Sequence, residues 1–126
     1  MNLVVGVGLR SGTSYGELRD LVTAALSDAG PGPLRFVITV DGRDIEPGLQ
    51  QLAASLGVDV HTASPQELAR QPVPTPSDQV EHLAGTPSVA EAAVLAAGAE
   101  LLVTKRRSTN ATAAVGRLPV PMRRVE

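Results

Sequence analysis

The stretch LVVGVGLRSGTSYGELRDLV, Leu3 to Val22, decides how this chain is read. It holds an apolar run broken only by glycines, then a turn of small polar residues around Gly12, then the start of a helix. Leu3 to Gly8 is too short for a helix and is bounded by glycine, so it reads as a buried strand. Leu18, Leu21, Val22, Ala25, Leu26 and Ala29 recur at spacings of three and four and mark one face of a helix. Ser14-x-x-Glu17 supplies a capping box and Gly30-Pro31 a stop. A strand, a glycine loop and a helix start in this order can offer free amides to an anion. The dinucleotide fingerprint is not met, because Gly6, Gly8 and Gly12 give G-x-G-x-x-x-G, with Ser11 where the third glycine belongs. No Walker loop is present either. Two readings stay open: the glycines serve only the turn and the packing of the first helix, or Arg10, Ser11, Gly12 and Thr13 form an oxyanion cradle.

The alternation continues outward. Leu34 to Val40 reads as a strand ending in the turn Asp41-Gly42. Pro47 opens a helix with the face Leu49, Leu52, Ala53 and Leu56, closed by Gly57. VDVHTA is a short third strand, and Ser64-Pro-Gln-Glu67 is a second capping box. Pro72, Pro74 and Pro76 mark an extended connection. A short helix over Pro76 to Ala84 is expected, then another that opens at the box Ser88-x-x-Glu91 and ends at Gly98. ELLVTK and ATAAVGRL, joined by a short loop, should pair as an antiparallel hairpin. The expected fold is α/β: three-layer α/β/α, with a mostly parallel mixed sheet and an antiparallel C-terminal edge strand, forming one domain over residues 1–126.

Composition narrows the function classes. The 126 residues carry a net charge of −2 and 2 % aromatic residues, which argues against nucleic acid or an anionic membrane as partner. Cysteine is absent, so disulfides, thiolate nucleophiles and Cys-based metal sites are excluded. His61 and His82 have no ligand or base partner at motif spacing. No cofactor and no metal site is expected, and the catalytic residues stay unassigned. With no leader or spanning segment legible, the expected location is cytoplasmic.

The residues suited to holding an anion are Arg10, Ser11, Gly12 and Thr13 at the first helix start, Thr86 and Ser88 at a later one, and Lys105 at the end of its strand. Lys105, Arg106, Arg107, Arg117, Arg123 and Arg124 concentrate basic charge in the last segment. The alanine-rich VAEAAVLAA face suggests a further reading, packing against a second copy as a homo-oligomer.

The segments GVGLRSGTS (6–14), ASPQEL (63–68), VPTPSD (73–78), GTPSVAEAAVLAAG (85–98) and LLVTKRRSTNATAAVGR (101–117) carry a family resemblance. In this order they resemble the family of the cobalamin biosynthesis protein CobE and the C-terminal domain of CbiG, over nearly the whole chain. The resemblance implies a role in assembling the corrin ring of vitamin B12, with a corrinoid or precorrin as ligand and other cobalamin-pathway enzymes as partners. It also implies an alternative: part of a cobalt-precorrin-5A hydrolase, which opens a lactone and releases acetaldehyde. Leu9 and Ser11 stand where the family loop often reads cysteine and arginine, so a mechanism needing that cysteine has no counterpart here. Corrin precursors are flat macrocycles rimmed by carboxylates, the chemistry to which the anion-holding residues are suited.

Overall fold

A computed structural model describes residues 1–73 and 89–119 of the chain. The first strand, β1 (Leu3–Leu9), is apolar on both sides and nearly all of it is buried. It pairs in parallel with β2 (Leu34–Val40), which pairs in parallel with β3 (Asp59–Ala63). The hairpin of β4 (Glu100–Arg107) and β5 (Ala111–Arg117) is antiparallel, as its short connection requires. The sheet order is β3-β2-β1-β5-β4, so four strands run one way and β5 runs against them. The antiparallel strand is therefore not at the edge where the sequence suggested. β5 is inserted between β1 and β4, in register from Leu3↔Arg117 to Leu9↔Ala111, and β4 forms the rim. The physical reason is burial: β5 is nearly all small and apolar, whereas β4 alternates half-buried and exposed residues and carries charge suited to an edge.

Alternation along β1 divides two cores. Leu3, Val5, Val7 and Leu9 pack against α1 (Tyr15–Ala29) and α2 (Pro47–Leu56), through Leu18, Leu21, Val22, Leu49 and Leu52. Val4, Ile38 and Ala114 on the other face meet α3 (Pro65–Ala69) and α4 (Val89–Ala96). The result is the expected three-layer sandwich. Its helix ends follow local chemistry. Ser64 and Glu67 complete a reciprocal capping box, and Gly57, at φ 71°, closes α2 by turning its amide back to Ala54. At α1 only half of the expected box forms: the Ser14 hydroxyl accepts from the Glu17 amide at 3.1 Å, while the Glu17 carboxylate is used elsewhere. The expected helix over Pro76 to Ala84 and the Ser88 half of the third box lie outside the described residues.

Gly6 and Gly8 belong to β1 and not to a loop. A Cβ at Gly6 would collide with the Ala90 carbonyl of α4 and lie 3.0 Å from Val94 Cγ2. One at Gly8 would lie 2.8 Å from Thr112 Oγ1 and 3.1 Å from Val89 Cβ. Gly116 on β5 is stripped for the same neighbour, Val94. These glycines admit α4, not the first helix, to close contact with the sheet. Gly6→Ala is expected to lower stability by about 1–3 kcal/mol through overpacking, measured by urea unfolding. Gly16→Ala, where an added Cβ meets nothing within 4 Å, should instead raise stability by about 0.5 kcal/mol.

Candidate functional site

β1, β2, β3 and β4 point the same way, so the connections leaving them gather at one edge of the sheet. α1 begins at this edge, and α4 does too, since Val89 packs at Gly8 near the end of β1. Such an edge is where open α/β sheets bind ligands.

The turn 10–13 continues the β1–β5 ladder by one bond, from the Arg10 amide to the Asn110 carbonyl at 2.9 Å. Gly12 sits at φ 83°, a conformation that favours glycine. Its amide is already engaged: it donates to Glu46 Oε1 at 2.8 Å. Glu46 is the residue before Pro47 and makes no cap bond to its own helix. Its nearly buried carboxylate crosses to the turn, with Arg43 beside it at 3.6 Å. Gly48 seals this junction, because a Cβ there would strike the Thr13 carbonyl. The Thr13 side chain is 4 % exposed and its hydroxyl donates to the Arg10 carbonyl at 2.7 Å. An internal carboxylate thus holds the turn, and only the Arg10 and Ser11 side chains are left to solvent.

The hairpin turn is fastened to the same place. Glu17 accepts from the Asn110 amide at 2.7 Å, from Asn110 Nδ2 at 3.0 Å and from the Ser108 hydroxyl. These donors, Ser108 first, hold its carboxyl below the ordinary value of 4.5. Asn110 in turn accepts from Arg10 and Thr13, so α1, the first turn and the hairpin form one hydrogen-bonded unit.

Lys105 lies where β4 carries one residue more than β5, between the pairs Val103↔Val115 and Arg106↔Ala113. Its amide leaves the ladder and donates to Glu91 Oε2 of α4 at 2.9 Å. Among the described residues, Lys105 Nζ is the buried side-chain polar atom without a hydrogen-bond partner. Burial draws its ammonium below the ordinary lysine value, Arg107 acts in the same direction, and Glu91 opposes both.

Of the residues chosen from sequence, the structure brings Arg10, Ser11, Gly12 and Thr13 into one turn and places Lys105 on β4 beside α4. Thr86 and Ser88 lie outside the described residues, as do His82, Arg123 and Arg124. The basic cluster is partly neutralised, since Arg106 pairs with Asp28 and Arg117 with Glu100. His61 stacks on Phe36, with ring centroids 4.0 Å apart and planes within 7°. Sequence reasoning missed Glu46, Glu91 and Asn110 as site-building groups. A lone glutamate inside the apolar run VAEAAVLA was the one available signal, and Glu91 is 0 % exposed. An open groove of about 660 Å³ lies at the opposite edge of the sheet, lined by Met1, Gly98, Ala99, Glu100, Arg117, Leu118 and Pro119, and contains none of the chosen residues. No helix among the described residues is long and apolar enough to cross a membrane.

Residues 3–116 match the family described as Cobalamin synthesis G C-terminus. The chain is 38 % identical over 120 residues to Protein CobE of a Sinorhizobium species, covering 90 % of this chain and 78 % of that one. It is 31 % identical over 121 residues to a cobalt-precorrin-5A hydrolase of Priestia megaterium, covering 93 % of this chain; the chain spans only 32 % of that relative's length. Among solved structures, CobE, a protein from the cobalamin (vitamin B12) biosynthetic pathway, superposes with a TM-score of 0.84 at 36 % identity, covering 94 % of each chain.

The Glu17 contacts carry a pH signature. A carboxyl whose folded value is depressed stabilises the fold above its unfolded value, here 4.5, and that contribution is lost as pH falls through the folded value. Acid unfolding below about pH 4.5 should therefore be steeper in the native protein than in Glu17→Gln, followed by circular dichroism. Equal slopes would mean that the contact is not held in solution.

Proposed function

Because the chain belongs to the cobalamin synthesis G C-terminal family and so to the cobalamin biosynthesis pathway, we propose that it binds a corrin-ring tetrapyrrole intermediate through the carboxylates of its rim. In this reading it is an accessory or carrier protein. The observation that supports this most directly is Lys105, whose buried ammonium lacks a hydrogen-bond partner on the side of the sheet where α4 packs. A buried donor with open capacity costs stability unless something fills it. The exposed Arg10 fork and Ser11 hydroxyl lie in the first turn at the same edge. Gly12 and Thr13 contribute by shaping that turn, and Thr86 and Ser88 complete the proposed set. Each charge-assisted hydrogen bond contributes about 1.5–3 kcal/mol, so three of them approach the ~8 kcal/mol of micromolar affinity before association costs.

The second reading rests on the likeness to one third of a hydrolase: the chain contributes to lactone opening on a cobalt-precorrin together with a separate partner. Acetaldehyde released from the lactone substrate, with such a partner present, is its readout.

Absorbance titration with cobyrinic acid, a cobalt corrin with free side-chain carboxylates, tests the first reading. Saturable binding is expected, with the ring recovered unchanged in mass. Arg10→Ala and Lys105→Met should each weaken it about tenfold, and full methyl esterification of the ring should abolish it. Equal affinity for the acid and the ester would overturn the carboxylate assignment.

A further inference from the structure

α4 is buried on every side from Val89 to Val94, yet it carries one carboxylate, Glu91, entirely out of solvent. Placing a carboxylate there is unfavourable unless its position serves a specific contact. One of its oxygens accepts the Lys105 amide at 2.9 Å, a donor that the extra residue of β4 has taken out of the ladder. The Lys105 ammonium is a different matter. Glu91 is close enough to favour its charge but makes no hydrogen bond to Nζ. Lys105 is moreover the chain's single lysine among its eleven basic side chains. An ammonium is a compact point charge with three donors on a flexible stem, whereas a guanidinium is a broad planar fork.

We propose that Glu91 is the positioning residue of Lys105. By closing the irregularity in β4 it fixes where the lysine stem leaves the strand, and it supports the ammonium while leaving its donors open to a carboxylate of the ligand. This rests on the carboxylate-binding reading given above. Among the described residues, Arg107 from β4 and Glu91 from α4 are the charged groups that act on Lys105, and they act in opposite directions. Removing the Glu91 charge takes away a contribution that opposes Arg107 and burial, so the ammonium should lose its proton more readily.

The single lysine makes the test direct. Protein labelled with ¹³C,¹⁵N-lysine has one lysine side-chain signal and one lysine backbone amide, both from Lys105. Glu91→Gln preserves side-chain volume and an acceptor oxygen for the amide. In this variant the Lys105 titration is expected to move to lower pH than in the native protein. The fall in cobyrinic acid affinity as pH rises through the Lys105 titration is expected to set in at lower pH in Glu91→Gln than in the native protein. A purely structural role for Glu91 would lower the affinity by the same factor at every pH, and that result overturns the proposal. So does an unmoved lysine titration. Lys105→Met keeps Glu91 and the backbone bond in place, so it tests the ligand contact even where a Glu91 variant does not fold; unchanged affinity overturns that half. If the native protein binds no cobyrinic acid, the carrier reading and the ligand half fall together. The lysine titration then still decides whether Glu91 controls Lys105.

Discussion

The close approach of α4 to the sheet is the constraint on which the rest depends. Three strand positions facing it, Gly6, Gly8 and Gly116, lack the Cβ atoms that would meet Ala90, Val89 and Val94. The helix answers with small side chains, Ala90, Ala92 and Ala93, all without solvent exposure. A helix seated this deeply gains packing along its whole surface. It also fixes the height and rotation of its first turn relative to β4. That rotation carries Glu91 to the Lys105 amide, so the architecture of the core and the chemistry of the rim meet in one contact.

A second feature of the edge is its supply of internal carboxylates. Glu46 occupies the Gly12 amide, Glu17 gathers the hairpin turn, and Glu91 takes the freed amide of β4. Each satisfies a backbone donor that would otherwise be left unpaired where strands end and helices begin. The three bonds stiffen the edge without using the Arg10 and Ser11 side chains or the Lys105 ammonium. The backbone that carries these donors is therefore fixed in advance, and the ordering cost of any contact made by their side chains is confined to the side chains themselves.

The surface ion pairs have a smaller part. Arg106 with Asp28 ties the rim strand to the end of α1, and Arg117 with Glu100 bridges the hairpin. Both pairs are substantially exposed, so they contribute little stability. Their consequence is electrostatic. Part of the basic charge that the sequence concentrates near the C-terminus is offset locally along the hairpin by Asp28 and Glu100.

Local chemistry was legible in the sequence by itself. Strand and helix periodicity, the Ser64–Glu67 box, the glycine that closes α2, and the antiparallel hairpin all depend on neighbours within a few residues, where propensity and capping decide the outcome. The turn at Arg10 to Thr13 was visible for the same reason. Contacts between distant residues were decided only by the tertiary structure. That Gly6 and Gly8 serve α4 depends on residues some eighty positions away in the chain. That Glu17 leaves its own capping box depends on Asn110, and that the Gly12 amide is taken depends on Glu46. β5 lies inside the sheet because a small apolar strand loses least by being covered on both sides, and no periodicity within the hairpin states which of its strands will meet β1. A carboxylate can satisfy any donor within reach, and what comes within reach is set by packing.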